Sequence, residues 1–169
     1  YFKKGLSLSG DADNREKYLV YINYAFFLAE KGRVDEGVVV LEDGLRNVRR
    51  VFGPNSREYY LMLASRADFA HNSSKEGQKA LEMYEICLPY IESHPWDISM
   101  KKYLLTDYAR TLFDVGLYGK ALEMADTVIN TSLKASGGPD PAEPGGSFSS
   151  DDLEILMVKY KALNALAKE

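Results

Sequence analysis

Side chains that commonly carry out catalysis or bind metals are few and scattered in this sequence. His71 and His94 stand far apart, and Cys87 has no second cysteine or histidine at a metal-ligand spacing. The adjacent acids Asp35 and Glu36 fall on a predicted helix, where a solvated face is their ordinary role. The sequence contains no phosphate-binding loop, nucleophile elbow or zinc-protease motif. We therefore predict no catalytic residues, no metal site, no cofactor and a non-enzymatic role.

Basic side chains form one local cluster. Arg46, Arg49 and Arg50 fall on one side of a predicted helix, where they could contact a phosphate or an acidic partner. The alternative interpretation is that they complement the negative C-terminal end of their own helix. The whole chain of 169 residues has a formal net charge of -4, which argues against binding along a nucleic-acid backbone. We expect a protein or peptide partner and no direct contact with nucleic acid.

The apolar runs and the cysteine content indicate the cellular compartment of the protein. No apolar run approaches the roughly 20 residues that a membrane-spanning helix needs, so no membrane insertion is predicted. A single cysteine excludes an intrachain disulfide and favours a reducing compartment, so we expect an intracellular, cytoplasmic protein; a nuclear or organellar location also fits. The chain begins at Tyr1 and both ends resemble partial repeats, which predicts a segment of a longer protein.

Hydrophobic periodicity predicts helices from end to end. The predicted helices span roughly residues 14–31, 34–51, 56–72, 75–93, 97–115, 118–135 and 151 to the end. A Gly/Pro/Ser-rich segment at 135–150 is predicted to be a flexible loop inside one domain of residues 1–169.

The sequence also contains residues that typically begin or end helices. Asp13 with Glu16 is predicted to cap the first helix, and Gly32 is predicted to end it in a left-handed conformation. Asn55 with Glu58 forms a capping pair for the third helix. Pro89 is predicted to kink or end the fourth helix, because it cannot donate a backbone hydrogen bond.

An internal repeat connects these helices. The stretch "NYAFFLAEKGRVDEG" (23–37) aligns without gaps to "DYARTLFDVGLYGKA" (107–121), an offset of 84 residues. Half of that offset, 42, predicts a middle copy, in which Ala67 corresponds to Ala25 and Ala109. Helix pairs at such a period bury their apolar sides by stacking, so we predict an all-α solenoid of antiparallel pairs, with about seven helices.

The repeated residues resemble tetratricopeptide repeats. The signature Trp-x2-Leu-Gly-x2-Tyr appears in degraded form as Tyr21-x2-Tyr24-Ala25-x2-Leu28 and Leu105-x2-Tyr108-Ala109-x2-Leu112. A period of 42 rather than 34 is similar to the extended repeats of kinesin light chains and related adaptors. Half-a-TPR repeats of RNA-processing scaffolds are also similar to the stretch that ends at Gly37. The resemblance implies a right-handed superhelix that acts in protein-protein interaction. It also implies that Ala25, Ala67 and Ala109 lie at the close contact between two helices, where the family usually has glycine.

The same resemblance implies a concave groove lined by a second face of the first helix of each repeat. Its predicted partner-binding residues are Leu19, Ile22, Phe26, Asp68, His71, Tyr103, Arg110 and Phe113. Apolar side chains beside a pair of Asp68 and Arg110 would suit an amphipathic helix or an extended peptide. The alternative interpretation is that these residues pack on a neighbouring helix of the same protein.

We therefore predict a scaffold or adaptor module, a subunit of a larger complex, that binds a partner's peptide or helix in this groove. One alternative is a half-a-TPR-type scaffold in an RNA-processing complex. The other is the helical regulatory region of a larger enzyme.

Overall fold

The computed structural model describes residues 17–94, 98–135 and 150–168. Within those ranges it contains seven α-helices and no strand, which confirms the all-α prediction. The helices are α1 Lys17–Glu30, α2 Val34–Phe52, α3 Arg57–Asn72, α4 Gly77–Ser93, α5 Ile98–Asp114, α6 Tyr118–Ala135 and α7 Ser150–Leu166. The predicted Asp13–Glu16 capping pair and residues 136–149 of the predicted loop lie outside the described residues.

The chain divides into two compact units, residues 1–90 and 91–169, and the division falls inside α4. In the first unit α1 packs on α2, α2 packs on α3, and α1 also contacts α3. Its core cluster consists of Ala25, Leu41, Val48, Met62 and Phe69. Leu41 and Val48 of α2, and Met62 and Phe69 of α3, are each seven residues apart, which is two helical turns, so each pair lies on one face of its helix.

The second unit repeats this order of contacts. Helix α5 packs on α6, α6 packs on α7, and α5 also contacts α7. Fully or almost fully buried residues of its three helices include Leu105, Ala109, Leu112, Ala121, Ala125, Val128, Ile155 and Ala162. The arrangement agrees with the repeat, because α5 and α6 carry the sequence that aligns with α1 and α2.

The turns that end α1 and α5 have the same backbone hydrogen bonds. Gly32 has a φ of +73° and its N–H donates to the Ala29 carbonyl at 2.9 Å; the next residue donates to Leu28, also at 2.9 Å. Gly116, with a φ of +85°, forms the equivalent pair of bonds after α5. This pattern is a Schellman motif, and it confirms the predicted left-handed helix end at Gly32.

One local prediction is wrong and a second is narrowed. The N-cap of α3 is Ser56 rather than Asn55: its extended backbone directs Oγ to accept from the Tyr59 N–H at 3.1 Å, while the hydroxyl donates to the Gly53 carbonyl at 2.9 Å. Pro89 does not end α4, which continues to Ser93, and a kink at Pro89 stays a prediction. Proline has no backbone N–H, so the Glu85 carbonyl lacks the helical hydrogen bond that residue 89 would otherwise donate. Pro89 and Glu85 both lie on the exposed side of the helix, where water can bind that carbonyl.

Gly37 lies where α1, α2 and α3 meet. A Cβ atom there would lie 2.6 Å from Phe69 Cζ and 2.9 Å from the backbone carbonyl oxygen of Ala25. Ala25, Ala67 and Ala109 are all completely buried, as predicted for small residues at a close helix contact. The first two helices can therefore approach this closely only because neither carries a large side chain at the contact.

Replacement of Gly37 by alanine tests this contact. The added methyl group meets a backbone atom that cannot rotate away, so we expect Gly37→Ala to lower the free energy of unfolding by about 1–3 kcal/mol. Gly119→Ala is the matched control, because nothing lies within 4 Å of its Cβ position in α6. That control should raise the stability by up to about 1 kcal/mol through helix propensity. Urea unfolding followed by circular dichroism measures both; equal effects of the two substitutions would contradict a close contact at Gly37.

Candidate functional site

The predicted groove residues of α1 lie between the core and the surface. Leu19 is 44% exposed, whereas Ile22 and Phe26 are half-buried and pack against the core cluster of the first unit. The Phe26 ring meets the Phe69 ring edge-on, with 5.3 Å between the ring centroids and 72° between the ring planes. Such an edge-to-face pair fixes the orientation of Phe26 while part of its ring stays accessible.

Two of the predicted groove residues, Asp68 and His71, belong to α3. Asp68 precedes Phe69 in the chain, and both Asp68 and His71 are half-buried. The side-chain amide of Asn72 donates a hydrogen bond to the Asp68 carboxylate. Helices α1 and α3 contact each other in the first unit, and a shared surface of their predicted groove residues stays a prediction. We refer to Leu19, Ile22, Phe26, Asp68 and His71 as the first-helix face.

In the second unit the predicted partner-binding residues Tyr103, Arg110 and Phe113 all lie on α5. Tyr103 is 48% exposed, and Phe113 contacts the ring of Tyr118 at a centroid distance of 5.3 Å. Arg110 is half-buried: Nη2 donates to Asp107 at 2.7 Å and Nη1 donates to Glu154 of α7 at 2.8 Å. The guanidinium thus links α5 to α7. A pair between Asp68 and Arg110 would involve residues of different units and stays a prediction.

Arg66 is a charged core residue that sequence reasoning missed. It lies 42 residues after Tyr24 and 42 before Tyr108, so it occupies the tyrosine position of the repeat. Its side chain is completely buried, and Nε donates to Glu42 of α2 at 3.0 Å. Its Nη1 and Nη2 atoms have no hydrogen-bond partner in the part of the chain that the structure describes. The 42-residue alignment itself is the signal that places this arginine at a buried position.

Glu42 is the carboxylate that offsets the buried charge of Arg66. We expect Glu42→Gln to lower the free energy of unfolding by about 1–2 kcal/mol, because a buried guanidinium then lacks a counter-charge. In the background of Arg66→Tyr, which restores the residue type of the other two copies, the same change should cost almost nothing. Glu36→Gln, in an exposed pair with Arg33, serves as the control and should leave stability unchanged.

Denaturant unfolding of the single and double variants gives the coupling energy. An equal effect of Glu42→Gln in both backgrounds would show that Arg66 does not depend on Glu42.

Cys87 is buried and free. Burial raises the pKa of its thiol from 9.0 to about 12, and its S–H donates to the Tyr60 carbonyl oxygen at 3.7 Å. The neighbouring rings of Tyr60 and Tyr90 stack with centroids 4.1 Å apart. Because the thiolate is the nucleophilic form, this thiol is not an activated nucleophile near neutral pH.

The raised pKa of Cys87 predicts a loss of stability in alkali. Between pH 9 and about pH 12 the folded chain keeps a proton that the unfolded chain releases, so the stability falls as the pH rises. This one group contributes a slope of at most about 1.4 kcal/mol per pH unit. The pKa of Tyr60 is also raised by burial, which adds to the fall above pH 10.

Unfolding of the wild-type chain and of Cys87→Ala at pH 8.0, 9.5 and 10.5, roughly spanning the unfolded thiol pKa, separates these contributions. We expect a shallower decline for the variant, so that the two stabilities converge. Parallel declines would contradict a buried, protonated thiol.

Metal-binding clusters and membrane-spanning helices are both absent from the described ranges 17–94, 98–135 and 150–168. No three His, Cys, Asp or Glu side chains there lie close enough to hold a metal ion. No helix in these ranges combines the length and the apolar character that crossing a membrane requires.

Comparison with known proteins finds a similar fold without a similar sequence. No protein-family profile matches the chain, and no curated protein matches it. Among solved structures, the crystal structure of BtubC (BKLC) from P. vanneervenii is similar, with a TM-score of 0.71 over 88% of this chain at 13% identity. The match covers 61% of the BtubC chain, so this chain spans less than two thirds of its neighbour. The likeness supports a tetratricopeptide-like helical-repeat fold, the α-solenoid class that the repeat predicts.

Proposed function

We propose that this chain is a non-catalytic scaffold or adaptor module that binds a peptide or helix of a partner protein on its first-helix face. In this role it acts inside the cell, as a subunit of a larger complex, and does not contact nucleic acid directly. The observation that carries the proposal is the half-buried state of Ile22 and Phe26, which pack against the core of the first unit. Their contacts with the core hold these side chains in place, and their accessible parts leave area for a partner to bury.

The chemistry of the first-helix face fits an amphipathic ligand. Leu19, Ile22 and Phe26 follow one another at three- and four-residue spacing along α1, so they form an apolar stripe. We infer that Asp68 and His71 of α3 supply polar groups next to this stripe, because α3 contacts α1. An apolar side chain of a ligand would cover the stripe, while a basic or hydrogen-bonding group of the ligand would meet the Asp68 carboxylate.

Contacts within the first unit hold side chains of the first-helix face in fixed positions, which favours binding of a partner. Phe26 is held by Phe69, and the Asp68 carboxylate is oriented by the Asn72 amide. A ligand would therefore meet side chains that already hold their positions, which reduces the entropy lost on association.

Site-specific photo-crosslinking tests which face the partner uses. A photoreactive residue at Leu19 should capture a partner from extracts of the source cells, whereas the same residue at Val39 should not. Val39 is the matched control, because it is a 58% exposed apolar residue on α2 rather than on a first helix. Capture from Val39 alone, or equal capture from both positions, would contradict the proposed face.

The second part of the experiment measures the affinity of the captured partner for purified variants of this chain. We expect Asp68→Lys to weaken binding by about tenfold or more, as for a central interface residue. Glu82→Lys, with the same charge change at an exposed position on α4, should change the affinity less than twofold, which is roughly the effect of a distant charge. Equal losses in the two variants would show that only overall charge matters.

A further inference from the structure

Helix α7 is apolar on two sides. One side is buried and consists of Ile155, Val158 and Ala162. The other side faces outward, and each of its five apolar side chains is between 38% and 68% exposed. We refer to these five residues as the α7 stripe: Leu153, Leu156, Met157, Tyr160 and Leu163. A helix with apolar residues on both sides is ordinarily covered on both, so the α7 stripe indicates an interaction surface.

The buried side of α7 meets the two helices that precede it. Nη1 of Arg110 in α5 donates to Glu154 at 2.8 Å, and Nζ of Lys159 lies 2.6 Å from the carboxylate of Asp126 in α6. These two pairs flank the buried side, which therefore rests on α5 and α6. The α7 stripe follows the pattern i, i+3, i+4, i+7, i+10 and lies on the opposite side of the helix.

Helix α3 shows what covers the corresponding side in the first unit. It follows α2 as α7 follows α6, and its Met62 and Phe69 pack against α2. A second side of α3 meets α4, because the ring of Tyr60 stacks on Tyr90 with 4.1 Å between the centroids. The other residues of that side are all buried: Leu63, Ala67 and Ala70. A helix thus covers this side of α3, and we expect a helix on the α7 stripe.

Large side chains distinguish the α7 stripe from the side of α3 that meets α4. That side of α3 has small residues at Ala67 and Ala70, which let α4 approach closely. The α7 stripe has only leucine, methionine and tyrosine, and Tyr160 is its most exposed residue. Long side chains of this kind pack by interlocking with similar side chains of a facing helix. The α7 stripe of a second copy provides such a surface.

The order of charges along α7 favours an antiparallel pair of identical helices. Within residues 150–168 the three acidic residues all precede Leu156, and the three lysines all follow Val158. In an antiparallel pair the acidic end of each helix lies next to the basic end of the other, whereas a parallel pair places like charges together. A two-fold axis between two copies produces the antiparallel arrangement.

The area of the α7 stripe fits a dimer. The exposed parts of its five side chains amount to about 500 Å², near the upper end for the largest apolar patch on a monomer. Two copies that cover each other's stripe bury about 1,000 Å², which is roughly the lower limit for a specific interface. Such an area suits a reversible dimer with a dissociation constant of about 1–100 μM.

We propose that two copies of this chain associate through their α7 stripes, as an antiparallel helix pair with the two-fold axis near Tyr160. Tyr160 lies midway between Leu153 and Ala167, which are both exposed. In the pair, Leu153 of one protomer lies opposite Ala167 of its partner, so a large side chain meets a small one at each end. No residue of the α7 stripe belongs to the first-helix face, so dimer formation and partner binding use different residues.

Sedimentation velocity at protein concentrations from about 1 to 300 μM tests the dimer. The wild-type chain should change from monomer to dimer over this range. Tyr160→Glu should weaken the association at least about tenfold, because it places a charge at the centre of the interface. Ile86→Glu is the matched control and should dimerise like the wild-type chain, since Ile86 is a 56% exposed apolar residue on α4.

Both substituted residues are exposed, so we expect the variants to fold, and circular dichroism checks this. A wild-type chain that stays monomeric at the highest concentration, as it would if a different protein covers the α7 stripe, would overturn the proposal. Equal losses of association in Tyr160→Glu and Ile86→Glu would also overturn it.

Disulfide trapping under mild oxidation tests the orientation of the two helices. Tyr160→Cys, at the axis, should form a linked dimer. Leu153→Cys alone should not, because its two copies would lie about 21 Å apart along the antiparallel helices, beyond the reach of a disulfide. A mixture of Leu153→Cys and Ala167→Cys should form the mixed dimer. The wild-type chain is the control, because its Cys87 is buried. Linkage of Leu153→Cys alone as fast as that of Tyr160→Cys would contradict the antiparallel pair.

Discussion

The close contact at Gly37 is the constraint on which the first unit depends. The Ala25 carbonyl and the Phe69 ring both lie where a side chain of residue 37 would stand. This space lets Phe69 reach between α1 and α2, where its ring meets the edge of Phe26. The contact therefore sets how deeply Phe26 lies, and with it how much of the first-helix face a partner can reach. A structural glycine and a candidate binding residue are connected through a single aromatic side chain.

Constraints of this kind recur with the repeat, and the sequence therefore predicts them well. Ala25, Ala67 and Ala109 are all completely buried, and the glycine turns after α1 and α5 share their hydrogen bonds. A stack of similar helix pairs needs the same small residue at each close contact and the same turn after each first helix. Residues that every repeat requires recur at a fixed spacing in the sequence. That spacing therefore predicts the all-α class, the seven described helices and the Gly32 turn.

Features that depend on a single tertiary contact could not be predicted in this way. Asn55 and Ser56 are both good caps, and the choice of Ser56 depends on its own backbone conformation and its bond to Gly53. Arg66 is acceptable in the core only beside Glu42, which is 24 residues away in the chain. The sequence shows Arg46 and Arg50 as a cluster, but Tyr21, which lines the same open surface depression, comes from another helix. Pairwise contacts of this kind leave no period in the sequence.

The contact at Gly37 can be observed directly in solution, without any substitution. Gly37 Hα lies close to the Phe69 ring in this packing, because a Cβ atom would lie only 2.6 Å from Phe69 Cζ. Nuclear Overhauser spectroscopy of the isotope-labelled chain should therefore show cross-peaks between Gly37 Hα and the ring protons of Phe69. Their absence, together with cross-peaks from the Phe69 ring to other residues, would contradict the packing that positions Phe26 and the first-helix face.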